Sequence, residues 1–181
     1  MSNVGLWDAH WGELRQPFML GSAEPYARCA EWVAGQPLIE DWGCGPGALR
    51  GFVQPPSVYR GVDGSASPFA DVHADLTEYR PDDAPSIVMR AVLEHNDNWK
   101  AVLDNALESF GKRMIVGLFT PLALETTVLL REPDFGDVPV ISFALADLVA
   151  RINTYGHWWA ITTMLSPSTF YGAETFIHIE R

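Results

Sequence analysis

The chain has 181 residues, of which 48% are hydrophobic and 19% are charged. These fractions are typical of a soluble globular protein, and the length suits a single domain, residues 1–181, with a sizeable core. Twelve Lys and Arg residues stand against 23 Asp and Glu residues, which gives a formal net charge of −11. Because nucleic-acid binding depends on clustered positive charge, this balance argues against a DNA or RNA partner and favours a small-molecule substrate.

The sequence shows no sign of a membrane, secretory or metal-binding protein. No apolar run reaches the roughly 18–20 residues that a membrane-spanning helix needs. The N-terminus has no basic region followed by an apolar stretch, so we expect a cytoplasmic protein without a membrane segment. Its cysteines, Cys29 and Cys44, are too few for a structural zinc site, and we expect no bound metal. Nothing in the sequence specifies an oligomeric state.

Residues 1–37 are rich in aromatic side chains and are expected to form a helical cap. Apolar residues recur at helical spacing over about 24–34, and Gly35 and Pro37 then end the helix. A shorter helix is expected over 6–14. Either the aromatic residues of this cap pack onto the sheet as core, or they form a flap over a ligand cleft: Trp7, Trp11, Phe18, Tyr26 and Trp32.

The segment 38–52 predicts a buried strand, a tight turn and the beginning of a helix. The turn holds three glycines, Gly43, Gly45 and Gly47. Glycine tolerates positive φ angles and a close approach of the backbone to a ligand. The helix expected to begin at Ala48 would present free N–H groups and the positive end of its dipole to that ligand. We therefore predict a site for a nucleotide-like cofactor at this turn.

Strands and helices alternate along the rest of the chain. Further strands are predicted over 58–63, 69–75, 87–93, 114–119, 158–165 and 175–179, and helices over 97–110 and 142–154. This alternation predicts right-handed crossovers and a largely parallel sheet with helices on both faces. The mainly acidic segment 120–141 interrupts the pattern with Pro121, Pro133, Gly136 and Pro139.

Four short motifs follow predicted strands in order: Glu40-Asp41-Trp42-Gly43-Cys44-Gly45-Pro46-Gly47, Gly61-Val62-Asp63-Gly64-Ser65, Ala74-Asp75-Leu76 and Val92-Leu93-Glu94-His95. With these motifs, residues 36–181 resemble the class I S-adenosylmethionine-dependent methyltransferases. The resemblance implies an α/β fold, a three-layer Rossmann-like sandwich with a mostly parallel seven-stranded sheet and an antiparallel last strand. It also implies an enzyme that uses S-adenosylmethionine to methylate an oxygen or nitrogen of a small polar acceptor. Segments 1–37 and 120–141 would then shape the acceptor site.

The resemblance also implies roles for individual residues. Asp41 would lie near the methionine amino group, Asp63 would accept hydrogen bonds from both ribose hydroxyls, and Asp75 would meet the adenine amino group. A carboxylate suits a vicinal diol because its oxygens only accept hydrogen bonds. Leu76 or Phe69 would pack on the adenine ring. The full set of expected cofactor-binding residues is Asp41, Gly43, Cys44, Gly45, Asp63, Gly64, Asp75, Leu76 and Arg90.

His95 is the candidate catalytic base, because imidazole titrates near neutrality and this residue follows the fourth strand. A structural or cleft-lining role is the alternative for His95. Glu94 is interpreted as an acid at a helix start rather than a catalyst. Core or surface roles are expected for Tyr171 and Glu174 in the final hairpin, and a position facing the cleft is the alternative. Arg90 departs from the family, which commonly has a smaller or polar residue there.

Two other functions stay open. Gly43-x-Gly45-x-x-Ala48, with Asp63 about 20 residues further on, also fits the fingerprint of NAD-type dinucleotide-binding proteins. Pro46 and Gly47 suit a loop that carries no pyrophosphate, which counts against this fingerprint. The second alternative is a non-catalytic S-adenosylmethionine-binding module that assists a partner enzyme.

Overall fold

The computed structural model describes residues 4–132 and 137–181. The strands in these ranges are β1 (Leu38–Trp42), β2 (Val58–Asp63), β3 (Val72–His73), β4 (Ser86–Arg90), β5 (Arg113–Leu118), β6 (Thr127–Glu132), β7 (Val138–Ser142), β8 (Trp158–Leu165) and β9 (Ala173–Glu180). The α-helices are α1 (Val4–Trp11), α2 (Glu24–Trp32), α3 (Trp99–Ser109) and α4 (Leu145–Thr154), and 3-10 turns cover Ala48–Gly51 and Leu93–His95.

Seven strands form one sheet in the order β3-β2-β1-β4-β5-β9-β8. Strands β1 to β5 pair in parallel, whereas β9 pairs antiparallel with both β5 and β8. The expected α/β fold with a mostly parallel sheet and an antiparallel last strand is confirmed. Since β8 runs in the same direction as β1 to β5, the loop after β8 lies at the edge where those strands end.

Apolar side chains cover both faces of the sheet. Met114 and Val116 of β5 join a cluster with residues of α3 and α4, whereas Ile115 between them joins a cluster with α2. This alternation follows from the two-residue period of a strand, which points successive side chains to opposite faces. Full burial of each such side chain contributes about 1.5–3 kcal/mol. The helices therefore form the two outer layers of the sandwich.

The connections on the β3 side of the sheet differ from the prediction. The helix expected at Ala48 is a single 3-10 turn, and the strand expected over 69–75 is reduced to Val72–His73. No helix lies in 64–71 or 74–85, two segments that the structure describes in full. The 3-10 turn after β1 ends at Gly51. The Pro55-Pro56 pair prevents a longer helix there because proline lacks the N–H that a helix needs.

Polar side chains hold these connections in place of helices. The Ser67 hydroxyl donates to the Gly45 carbonyl at 2.5 Å. Asp71 accepts the Gly61 N–H at 2.7 Å and pairs with Arg50 at 2.6 Å. The loops that follow β1 and β2 are therefore joined by side chain to backbone hydrogen bonds.

The segment 120–141 contains an antiparallel hairpin, β6 with β7, that was not predicted. Pro139 argued against a strand, yet it lies opposite Arg131 in a two-stranded ribbon, where a missing donor is tolerated. Strand β7 extends to Ser142, so the helix expected from that residue begins at Leu145. Pro133, Asp134 and Gly136 lie outside the described residues.

Both expected N-terminal helices are confirmed, although each ends two or three residues before the expected position. The strand expected over 87–93 also ends early, at Arg90, and is followed by the second 3-10 turn. Within 4–132 and 137–181, no helix is both long and apolar enough to cross a membrane.

Candidate active site

A cavity of about 470 Å³ opens at the edge of the sheet where β1, β2 and β4 end. This volume lies within the roughly 300–1,000 Å³ of ordinary small-molecule sites. The candidate base and all members of the expected cofactor-binding set contribute to its lining: Asp41, Gly43, Cys44, Gly45, Asp63, Gly64, Asp75, Leu76, Arg90 and His95. The fold thus brings these residues together, and their individual roles stay predictions.

The glycine turn after β1 requires glycine at two positions for steric reasons. Gly43 and Gly47 both have φ of 72°. A Cβ on Gly43 would lie 2.6 Å from Cγ2 of Val92, and one on Gly47 would lie 2.7 Å from Cβ of Phe69. Phe69 therefore packs behind the turn and is absent from the cavity lining, which leaves Leu76 as the candidate for contact with a base.

Asp63, at the end of β2, already accepts three hydrogen bonds from the protein. Oδ2 accepts the Gly45 N–H at 2.8 Å, while Oδ1 accepts the N–H and hydroxyl of Ser65 at 2.8 and 2.6 Å. A carboxylate offers about four acceptor positions. Contact with both hydroxyls of a ribose therefore requires the Ser65 hydroxyl to turn away from Oδ1. Besides its predicted ligand contact, Asp63 fixes the glycine turn.

Asp41 lies buried at the end of β1, where Tyr59 donates to its Oδ2 at 2.8 Å. Burial raises the pKa of the Asp41 carboxyl to about 7, against the opposing effect of the Tyr59 hydrogen bond. A cationic group brought into the cavity would favour the ionised form and lower this pKa. Asp41 is therefore suited to an ammonium group. The adjacent Glu40 serves the structure instead, since its buried carboxylate accepts from Trp42 and Arg60.

Asp75 and Leu76 follow β3 and form the far end of the cavity. Oδ1 of Asp75 accepts the N–H and hydroxyl of Thr77 at 2.9 and 2.8 Å. Asn105 of α3 donates to the Leu76 carbonyl at 2.9 Å. These contacts fix the segment in a region without a helix, so that an acid and an apolar side chain line the same end of the cavity.

Arg90 reaches the cavity with its charge already paired. Its Nε and Nη2 donate to the two carboxylate oxygens of Glu174 at 2.9 and 2.7 Å. The guanidinium also lies 4.3 Å from the centre of the Tyr26 ring. Both members of the pair are buried, which gives Glu174 the expected core role. Arg90 thus joins β4 to β9, and its predicted cofactor contact remains a prediction.

His95 lies in the 3-10 turn after β4, with Nδ1 3.0 Å from the carbonyl oxygen of Pro139. Because a carbonyl only accepts, Nδ1 carries the proton, and the lone pair of the neutral ring is on Nε2. Burial lowers the pKa of the imidazole, which favours the neutral form near pH 7. This tautomer and charge state suit a general base.

Glu94 has a role that the sequence did not indicate. Its carboxylate is fully buried, and Oε1 accepts the Phe119 N–H at 2.7 Å. Oε2 is buried without a hydrogen-bond partner among the described residues. Desolvation raises the pKa of this carboxyl to about 7. Glu94 therefore joins the 3-10 turn that contains His95 to the end of β5. Its role is more than that of an acid at a helix start.

The free energy of unfolding of the parent is expected to fall as the pH rises from about 4.5 to 7, and Glu94→Gln is expected to reduce this fall. The folded-state pKa of Glu94 is raised to about 7 from an ordinary value of 4.5, so in this window the folded chain holds a proton that the unfolded chain has lost. Stability therefore falls as the pH rises through the window. Glutamine keeps an acceptor for the Phe119 N–H and carries no charge.

Urea unfolding of parent and variant at pH 5, 7 and 8.5 measures this difference. Asp41, whose pKa is raised in the same direction, is present in both proteins and cancels in the comparison. If the unfolding free energies of the two proteins changed equally with pH, the raised pKa of the buried Glu94 carboxyl would be contradicted.

Three segments contribute lining that the motifs did not reveal. They are the N-terminal cap, the β6–β7 hairpin and the loop after β8, represented by Trp7, His10, Trp11, Leu130, Glu132, Val138, Val140, Ser168, Thr169, Phe170 and Tyr171. The first two segments were expected from the resemblance to shape the acceptor site, whereas the loop after β8 was not part of that expectation. Tyr171 lines the cavity, which is the cleft-facing alternative and not the core or surface role that the sequence favoured.

The aromatic residues of the N-terminal cap divide between the two expected roles. The Trp11 ring lies over Gly45, where an added Cβ would be 3.4 Å from the indole, and Asp8 of the same helix accepts the Ala66 N–H at 2.7 Å. Helix α1 therefore covers the glycine turn as a flap. Trp32 packs onto the sheet instead as a half-buried side chain, with its Nε1 donating to the Met114 carbonyl.

Metal ligation finds no support in the part of the chain that the structure describes. No three His, Cys, Asp or Glu residues in those ranges are grouped in a way that could hold an ion. The buried thiol of Cys44 lines the cavity, and desolvation raises its pKa, so it is not poised as a thiolate.

No protein-family model matches the sequence, and no curated protein matches it. Solved structures do match. The N1-methyltransferase of 1,6-didemethyltoxoflavin from Burkholderia thailandensis, solved with that compound and S-adenosylhomocysteine, superposes with a TM-score of 0.68 at 12% identity, covering 87% of this chain and 76% of its own. The fold is that of the class I S-adenosylmethionine-dependent methyltransferases.

Two further solved structures share this methyltransferase fold. The magnesium protoporphyrin IX methyltransferase of Synechocystis PCC 6803, with bound S-adenosylhomocysteine, gives a TM-score of 0.62 at 16% identity, over 87% of this chain and 82% of its own. A putative S-adenosylmethionine-dependent methyltransferase from Listeria monocytogenes gives 0.62 at 10% identity, over 87% and 97%. Identities this low establish the methyltransferase fold and leave the activity to be argued from the site.

Proposed function

We propose that this protein is an S-adenosylmethionine-dependent methyltransferase that acts on an oxygen or nitrogen of a small-molecule acceptor. One observation carries the proposal: the glycine turn, Asp41, Asp63 and Asp75 all line a single cavity at the carboxyl edge of the sheet. Ligands of open α/β sheets bind at this edge. The solved structures of the same fold, with S-adenosylhomocysteine bound, support the cofactor assignment.

The residues of the cavity fit the groups of this cofactor. Asp41, whose charged form needs a cation nearby, would hold the methionine ammonium group. Asp63 would accept from the ribose, and Asp75 with Leu76 would contact the adenine. The indole ring of Trp11, on the α1 flap, covers the glycine turn at Gly45. When bound, the cofactor supplies an electrophilic methyl group on a sulfonium cation, which suits an acidic and aromatic site.

In methyl transfer, the residues of this chain would position the acceptor and remove one proton from it. Holding a nucleophile in line with the methyl group removes much of the entropic barrier. His95 lies on the β4 side of the cavity, and its neutral ring would take the acceptor's proton at Nε2 while Pro139 holds Nδ1–H. A polar O–H or N–H group on the acceptor is the functional group that such a base requires.

Calorimetric titration with S-adenosylhomocysteine and with NAD tests the cofactor assignment. We expect binding of S-adenosylhomocysteine only. NAD needs a helix N-terminus for its pyrophosphate, and the glycine turn here leads into a 3-10 turn of four residues. Binding of NAD, or of neither compound, would overturn the proposal.

Transfer of a tritiated methyl group from S-adenosylmethionine to extracted small molecules tests the chemistry. Labelled product is expected from an enzyme. Tight cofactor binding without product in any metabolite fraction would favour a non-catalytic module that assists a partner.

His95→Ala is expected to lower the methyl-transfer rate by about 100-fold or more while S-adenosylhomocysteine affinity changes little. The parent rate should fall on the acid side as the imidazole is protonated, below its ordinary pKa because burial lowers that value. The variant should lose this acid limb. His157→Ala is the matched control, because this histidine contacts the Leu107 carbonyl and does not line the cavity. Identical pH profiles for parent and His95→Ala would remove the base role.

A further inference from the structure

A continuous row of aromatic rings lines the cavity from the glycine turn to its mouth. The ring row consists of Trp11, Trp7, His95, Phe119, Tyr171 and Phe170. Centroids of successive rings are separated by 5.6, 5.4, 5.2, 6.2 and 5.0 Å. All five distances fall within the range of favourable aromatic contact, about 4.5–7 Å.

The ring row lies mostly on the side of the cavity away from the predicted adenosine contacts. Asp63 and Asp75 follow β2 and β3 at one end of the strand order, whereas His95 follows β4, Phe119 follows β5 and Tyr171 follows β8. If the acids hold the cofactor, the remaining space borders the rings. His95, the candidate base, lies within the row, with its ring stacked on Phe119 at 30° between planes.

The charges around the cavity disfavour an anionic acceptor. Arg90 is the one Lys or Arg in the lining formed by the described residues, and its guanidinium is paired with Glu174 through two hydrogen bonds. Glu132 of the hairpin adds a further acid to the lining. A carboxylate or phosphate on the acceptor would therefore meet acidic side chains without a Lys or Arg side chain available to pair with it.

The mouth of the cavity exposes apolar side chains from three separate segments. Leu20, Leu130 and Phe170 all line the cavity, with 45%, 38% and 86% of their surface exposed. Clustered exposed apolar surface commonly marks a binding site, because covering it with a ligand releases ordered water.

We propose that the methyl acceptor is a flat, uncharged aromatic molecule that lies against the ring row and bears the methylated oxygen or nitrogen. This inference rests on the proposed function and narrows its acceptor. A planar ring system would contact the faces of Phe119 and Tyr171 and the edge of His95, and its heteroatom would lie beside the candidate base. An acidic metabolite would bring a charge that the lining does not pair, and a puckered sugar would contact less of the ring faces than a planar ring system.

Three probes that share a ten-carbon bicyclic framework test the acceptor class on protein saturated with S-adenosylhomocysteine. The first, 1-naphthol, is aromatic and uncharged. The second, 1-naphthoate, is aromatic and anionic, and the third, decahydro-1-naphthol, is a saturated uncharged alcohol of similar size. We expect calorimetry to show 1-naphthol binding roughly fivefold or more tightly than either of the others. A saturated alcohol or an anion that binds as tightly as 1-naphthol would overturn the inference.

Tyr171→Leu is expected to weaken 1-naphthol binding by roughly fivefold while leaving S-adenosylhomocysteine affinity unchanged. Trp158→Leu is the control, because this tryptophan is 56% exposed on β8 and does not line the cavity. An unchanged affinity for 1-naphthol in Tyr171→Leu would overturn the inference.

Repeating the 1-naphthol titration without S-adenosylhomocysteine separates the two proposals. A protein that prefers 1-naphthol but binds no S-adenosylhomocysteine would overturn the proposed function and support the aromatic site. A protein that binds S-adenosylhomocysteine without a preference among the probes would support the proposed function and overturn the aromatic acceptor site.

Discussion

Glu174→Ala is expected to lower the free energy of unfolding by about 3–5 kcal/mol, because it leaves the Arg90 charge buried and unpaired. The pair is almost excluded from solvent, with 8% of the Arg90 side chain exposed and none of the Glu174 side chain. Glu174 also accepts the Ser166 hydroxyl at 3.2 Å, so the loop after β8 loses an anchor as well. Urea unfolding monitored by tryptophan fluorescence measures the change.

Asp97→Ala is the matched control for an ion pair in solvent. Its partner is Arg131, and the side chains of this pair are 51% and 38% exposed. Such pairs contribute about 0–1 kcal/mol, so this variant should remain close to the parent. The double variant Arg90→Met, Glu174→Leu should recover most of the stability, because it leaves no buried charge. Equal effects of Glu174→Ala and Asp97→Ala would show that the buried pair is not needed for stability.

Asp63→Ala is expected to weaken S-adenosylhomocysteine binding by about 1.5–3 kcal/mol, the contribution of hydrogen bonds to a charged group. The same change removes the acceptor for the Gly45 N–H, so the glycine turn loses part of its support. Calorimetric titration gives the affinity, and Asp82→Ala, an exposed acid in the loop before β4, provides the control. A dissociation constant unchanged in Asp63→Ala would remove this residue from the cofactor site.

Ser65→Ala distinguishes the two contributions of Asp63. This variant keeps the carboxylate and its bond to Gly45 but removes the hydroxyl that occupies Oδ1. If the ribose needs both oxygens, the variant should bind S-adenosylhomocysteine as well as the parent or more tightly. A loss as large as that of Asp63→Ala would instead indicate that Ser65 itself contacts the ligand.

Local sequence signals were sufficient for most strands of the seven-stranded sheet and for the glycine turn. Strand β8 begins and ends where the sequence predicted, at Trp158 and Leu165, because its aromatic and β-branched residues locally favour a strand. The turn was predictable because positive φ angles at Gly43 and Gly47 follow from residues that tolerate them. The acids at the ends of β1 and β2 and just after β3 gather in one cavity because parallel strands end at one edge.

Contacts between distant segments were beyond prediction from the sequence. Arg90 and Glu174 are 84 residues apart, and neither shows from its own neighbourhood that it has a buried partner. The β6–β7 hairpin was missed because Pro139 locally disfavours a strand, whereas pairing with Arg131 in a ribbon tolerates it. The ring row joins six aromatic residues from four segments, so its continuity depends on the sheet order rather than on spacing.

The connections after β1, β2 and β3 have a consequence for the order in which the molecule opens. A region held by Ser67, Asp71 and a two-residue β3, without a covering helix, buries less apolar surface than the centre of the sheet at β4 and β5. Its amide protons should therefore exchange with deuterium through local opening, well before the global unfolding that releases those of β5. A nucleoside bound to Asp63 and Asp75 would stabilise the closed form of this region by mass action, so ligand binding would slow exchange at the β3 edge of the sheet.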